Sequence, residues 1–139
     1  MIARLCMFGA VLVLAAVPGW TADFDVSNFG FTAYTINGVN NPVLALVRGQ
    51  TYTFAINAPG HPFWIKTAQI TGTGSAFNTG VTNNGITSGT LTFAVPQAAP
   101  NTLFYACQIH AAMSNQIHIA NPSAIALGTW SAIKVLFRS

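Results

Sequence analysis

Between residues 23 and 121 the apolar and polar positions tend to alternate one by one, the spacing of a strand with one face in a core and the other toward solvent. In "TYTFAIN", residues 51–57, Tyr52, Phe54 and Ile56 share one face, while Thr51, Thr53 and Ala55 share the other. The segment "TLTFAVP", residues 90–96, repeats the pattern with Leu91, Phe93 and Val95 set against Thr90, Thr92 and Ala94. Weaker versions run from Phe24 to Ser27, Phe31 to Ile36, Val43 to Val47, Phe63 to Thr67, Leu103 to Cys107 and Gln116 to Ile119. Turn-forming clusters such as "NGVNNP", "VRGQ" and "NAPGHP" separate them. About eight short strands with no helical period between them predict an all-β chain, a two-sheet Greek-key β-sandwich or barrel.

Three stretches break the alternation. Residues 71–89, "TGTGSAFNTGVTNNGITSG", are rich in Gly, Thr and Asn and without period; they read as a long surface excursion, a tolerated insertion or a functional loop. At the start, Arg4 precedes an apolar run from Leu5 to Val17 and then small residues, the three-part pattern of an export signal, with an uncleaved anchor as the alternative. That run is short of the about 18 apolar residues of a spanning helix. At the end, "PSAIALGTWSAIKVLFRS" is apolar but interrupted by Gly128 and Lys134. It could pack on the domain, lie at a membrane surface or form a helix for a partner. The division expected is therefore a leader or anchor over 1–22, one domain over 23–122 and an apolar tail over 123–139.

The chain has 139 residues, enough for one core, and is 52% hydrophobic with only 5% charged residues. Its formal charge of +3 comes from five scattered basic residues, none clustered to follow a phosphate backbone, so nucleic acid is excluded as a partner. The only carboxylates are Asp23 and Asp25, and there is no Glu. Loss of a leader over 1–22 would remove Cys6, Met1 and Met7, leaving Cys107 and Met113 as the one cysteine and one methionine. No internal disulfide could then form. A lone cysteine in an exported chain is an exposed thiol, an intermolecular bridge, a buried apolar residue or a metal ligand.

The neighbours of Cys107 favour the last. In "YACQIHAAM", residues 105–113, a Cys, a His and a Met follow the spacing C-x2-H-x2-M. Strand parity puts Cys107 on the face of Tyr105 and Leu103, and His61 on the face of Phe63 and Ile65, both inward. His118, between Ile117 and Ile119, points outward as a surface residue. Thiolate and thioether are soft donors suited to copper(I), and imidazole suits copper in either state. A His₂Cys plane with a weak axial Met is the arrangement of a mononuclear electron-transfer copper site. Zinc could use the same nitrogen and sulfur donors but takes methionine poorly. An inert core thiol at Cys107 and simple packing at Met113 stay open, and Tyr105 and Phe63 read as core rather than as electron relays.

These features together resemble the cupredoxins, the blue copper proteins, and among them the small carriers with short ligand loops of the amicyanin and plastocyanin kind. The resemblance runs over nearly all of residues 23–121, through "PGHPFWI", a late "VP" strand end, "YACQIHAAM" and a closing "QIHIA". It implies one type 1 copper ion with His61, Cys107 and His110 as equatorial ligands and Met113 as the axial one. One departure stands out: in many cupredoxins the residue after the first histidine donates its backbone N–H to the cysteine sulfur. Here that residue is Pro62, which has none. The copper(II) state should then be favoured and the potential lowered, unless the Ile109 amide compensates. The expected function is outer-sphere electron transfer by an exported carrier, periplasmic or extracellular, with no substrate chemistry of its own. Redox partners would dock weakly and transiently near His110, with Ala111 and Ala112 as apolar contacts; a monomer is expected, and membrane contact through the termini is left open. The alternatives are copper delivery or storage, or a cupredoxin-like module that does not cycle. A copper enzyme is disfavoured by the missing second histidine cluster, and a dinuclear oxidase-type centre by the missing second bridging cysteine.

Overall fold

The computed structural model describes residues 21–123. The leader, but for Thr21 and Ala22, and the tail, but for Ser123, lie outside the described residues. Ten strands run in chain order: β1 Phe24–Phe29, β2 Ala33–Ile36, β3 Val39–Asn40, β4 Leu44–Val47, β5 Thr51–Asn57, β6 Phe63–Lys66, β7 Val81–Thr82, β8 Ser88–Ala94, β9 Thr102–Cys107 and β10 Ser114–Ala120. All eight expected segments are strands. The two additions, β3 and β7, have two residues each, too short for an alternation to show. No helix among the described residues is long and apolar enough to cross a membrane.

The strands form two sheets, one ordered β3-β2-β1-β5-β8-β7 and the other β4-β10-β9-β6. Two pairings are parallel, β1 with β5 and β10 with β4, and the rest are antiparallel. Between the sheets the inward positions of each alternating strand meet: Val26, Ile36, Phe54, Ile56, Leu91 and Phe93 from one side, Leu46, Phe63, Ile65, Leu103, Tyr105 and Ile117 from the other. Each such side chain contributes roughly 1.5–3 kcal/mol when fully buried, so the period-two pattern dictates which face turns inward.

The aperiodic run 71–89 follows the free edge of β6 and hydrogen-bonds to it. Phe77 N–H donates to the Ile65 carbonyl, Gly85 N–H to that of Phe63, and Phe63 N–H to that of Ile86. Asn84 reinforces this, accepting from Ile65 N–H at 2.8 Å and donating to the Ile65 carbonyl at 3.1 Å. Its length has a structural reason: it satisfies backbone groups that an edge strand would otherwise leave open. The first turn also differs from the sequence expectation. Phe31 lies outside β2, 67% exposed, because Gly30 takes a left-handed φ of 55° and Thr32 N–H closes the turn on the Phe29 carbonyl.

Candidate metal centre

Two connections at one end of the sandwich carry the chemistry. After β5, a turn closed by His61 N–H on the Ala58 carbonyl uses Gly60 at φ 77°, where a side chain would be strained. It delivers His61 immediately before β6. Pairing of Phe63 with Cys107 in the β6–β9 ladder sets this turn beside the end of β9. The β9–β10 connection is tight: Cys107 N–H donates to the Met113 carbonyl at 2.9 Å, and Met113 N–H to that of His110 at 3.1 Å.

Three donors converge as a result. The Nδ1 atoms of His61 and His110 are 3.1 Å apart, and the Cys107 Sγ lies 3.9 Å from the first and 3.8 Å from the second. A point equidistant from all three is about 2.1 Å from each, within the range of metal–nitrogen bonds and slightly short of a metal–thiolate bond. Cys107 is fully buried, and the two imidazoles are partly exposed. Both sulfurs are inside: Met113, on the same loop, has no exposed surface. The set of two imidazoles and a buried thiol, with a buried thioether on the same loop, fits a soft, borderline transition metal and offers no carboxylate to a hard cation.

The surroundings fix these groups. Ile109 N–H donates to the Cys107 Sγ at 3.4 Å, the compensating bond that Pro62 cannot supply. The Pro62 carbonyl instead accepts from Gln108 N–H at 3.1 Å, tying the His61 turn to the cysteine loop. Tyr34, fully buried on β2, donates its hydroxyl to the His61 carbonyl at 2.9 Å. Burial, and secondarily the neighbouring Cys107 sulfur, push the Tyr34 phenol pKa up, so it stays a neutral donor. Behind the sulfur, Phe63 stacks on Tyr105 with ring centroids 5.6 Å apart, and Tyr34 meets Phe63 edge-on at 5.0 Å. Desolvation, then the proximity of His110, hold the His61 pKa below the ordinary imidazole value.

The structure thus brings His61, Cys107 and His110 together and buries Met113 on the loop between them and β10. His118 is exposed, and Phe63 and Tyr105 are core residues. The sequence reading missed Asn41. Its Nδ2 donates to the Ala112 carbonyl at 2.8 Å, and its Oδ1 accepts from Tyr34 N–H at 3.0 Å. It clamps the β9–β10 loop to the β2–β3 hairpin from 71 residues away in sequence. The only signal was an Asn in a turn-forming cluster, and a φ of 45° accounts for that preference.

No protein-family model matches the chain, and no curated protein matches its sequence. Solved structures do. Rusticyanin from Thiobacillus ferrooxidans superposes with a TM-score of 0.54 over 70% of this chain and 75% of that one, at 21% identity. A second structure, described as a copper protein, rusticyanin, gives 0.52 at 21% identity over 70% and 76%. Reduced rusticyanin gives 0.51 at 23% over 70% and 77%. With two mixed sheets and the donor cluster at the β9–β10 end, the architecture is decided. The chain has the cupredoxin fold. At this level of identity the likeness concerns the fold. Within that cupredoxin fold, the donor set rests on this chain's own geometry.

Proposed function

We propose that this chain is a mononuclear type 1 copper protein that carries electrons outside the cytoplasm by outer-sphere transfer. One observation supports this above all: the triangle formed by the His61 Nδ1, His110 Nδ1 and Cys107 Sγ, with sides of 3.1, 3.8 and 3.9 Å, at the end of a close-packed sandwich. His61, Cys107 and His110 would hold the ion, with Met113 as a further ligand from the same loop. Bound copper would supply a one-electron couple between its two oxidation states. The residues keep the donors where they are. Tyr34 and Asn41 fix the two loops, Ile109 N–H moderates the charge on the thiolate, and the aromatic core excludes water from the sulfur side. A set of donors that does not rearrange lowers the cost of changing oxidation state.

Electrons would pass at His110, whose ring is partly exposed. Around it lie Phe31, at 6.0 Å between ring centroids, and the exposed Ile109, Ala111 and Ala112, an apolar rim suited to weak, short-lived docking with a redox partner. The leader-like start of the sequence supports placing the carrier outside the cytoplasm. The test is to load the full chain with copper(II) and record visible and electron-paramagnetic spectra beside Cys107→Ser. An intense thiolate charge-transfer band, lost in the variant, and reversible voltammetry are expected. Tight copper(I) binding without colour or reversible voltammetry would instead indicate delivery or storage.

A further inference from the structure

Lys66, at the end of β6, has no exposed surface and no carboxylate partner among the described residues, where the only acids are Asp23 and Asp25 near the start of β1. Its ammonium donates to three consecutive backbone carbonyls, Ile70 at 2.7 Å, Thr71 at 3.4 Å and Gly72 at 2.7 Å. Three carbonyls aimed at one interior point need hydrogen-bond donors there, and an apolar side chain would leave them without one. The same short segment holds the proposed ligand loop at two places. Gly72 N–H donates to the carbonyl of Gln108, the residue after Cys107, at 2.7 Å. Gln69 Nε2 donates to Ser114 Oγ at 2.9 Å, and that hydroxyl donates to the Ala111 carbonyl at 2.9 Å.

We propose that Lys66 is a positioning residue for the metal loop, a buried cation that shapes residues 69–72 into a strap across both ends of residues 107–114. One end fixes the peptide next to Cys107, and the other fixes the turn between His110 and Met113. The inference rests on the copper reading for its consequence, because the strap limits how far Cys107 and His110 can move apart. Its geometry stands without metal.

The test uses the full chain in both metal states, comparing the parent with Lys66→Met and Gln69→Ala. In the metal-free proteins, both variants should shift the amide resonances of residues 107–113, and Lys66→Met should accelerate hydrogen exchange at the Gly72 amide. In the copper-loaded proteins, loss of copper(I) to a chelator should quicken by about tenfold or more in Lys66→Met, the scale of removing an outer partner of a metal ligand. Should Lys66→Met fail to fold, Lys66→Gln, which keeps two donors, carries the same readouts. Variants that lower thermal stability while leaving the 107–113 amides and the rate of copper loss unchanged would overturn the proposal, reducing Lys66 to local support. Should the parent bind no copper, the copper reading fails while the metal-free spectra still decide the strap.

Discussion

At the scale of single residues, the electron richness of the Cys107 sulfur in the proposed copper site would depend on how many hydrogen bonds it accepts. Ile109 N–H supplies one at 3.4 Å, and Pro62 withholds another for want of an N–H. Pro62→Ala restores a donor beside His61, which stabilises the more electron-rich reduced site, so the reduction potential should rise by an amount on the order of 1 kcal/mol. Voltammetry of the copper-loaded variant decides this; an unchanged or lower potential would remove Pro62 from the argument. His61 gives a pH dependence. Its folded-state pKa lies below the ordinary 6.5, so near and below that value the unfolded chain binds a proton more readily than the folded one. The stability His61 contributes is complete above pH 6.5 and is lost as pH falls through the folded value. The melting temperature of the metal-free protein should therefore decline with acid through this window, and His61→Gln should flatten that part of the curve.

At the scale of elements, the clamp from the β2–β3 hairpin to the ligand loop is the most exposed to test. Asn41→Gly keeps the left-handed backbone and removes the side-chain bonds to Ala112, Tyr34 and Thr32. It should cost about 0.5–1.5 kcal/mol, the net worth of a hydrogen bond whose partners are only partly shielded from water, read from the denaturant midpoint of the metal-free protein; a change within error would show that water replaces Asn41. Gly85→Ala concerns the edge cover of β6. A Cβ there would sit 2.3 Å from the Trp64 ring, at a φ of +83°, so the variant should lose stability by at least about 1 kcal/mol. These elements also mark what the sequence could reveal. Alternation is a local property, so the inward direction of Cys107, Tyr105 and Phe63 and the outward direction of His118 could be read from immediate neighbours. The three donors likewise sit at spacings tied to strand ends. Asn41 and Lys66 act through backbone groups brought near only by sheet pairing and loop path, and nothing in their flanking residues records that. The covering role of 71–89 was hidden for the same reason, since an edge hydrogen bond imposes no period on the side chains that make it.

At the scale of the whole molecule, the distribution of charge sets how the proposed carrier would meet a partner. The charged residues of the described part are Asp23, Asp25, Arg48 and Lys66. Arg48 is buried, bonded to the Ile119 and Ala99 carbonyls and to Asn101 and Asn121, and Lys66 is buried under its strap. Asp25 stands on β1 four residues before Phe29, about 13 Å along the strand from the turn that leads to Phe31, farther than the screening length at about 0.1 M salt. The end bearing His110 therefore presents Phe31, Ile109, Ala111 and Ala112 with no charged side chain among the described residues. Desolvating that rim costs little, and its contact energy scales with apolar area rather than with Coulomb attraction. Ala112→Lys puts one positive charge on that rim while leaving all four proposed ligands in place. Two molecules exchanging an electron through this face would then bring like charges together. The electron self-exchange rate of the copper-loaded variant should fall relative to the parent at low ionic strength and recover as salt is added, while its visible spectrum stays that of the parent. If the variant exchanged as fast as the parent at every ionic strength, electrons would be leaving by another face of the sandwich.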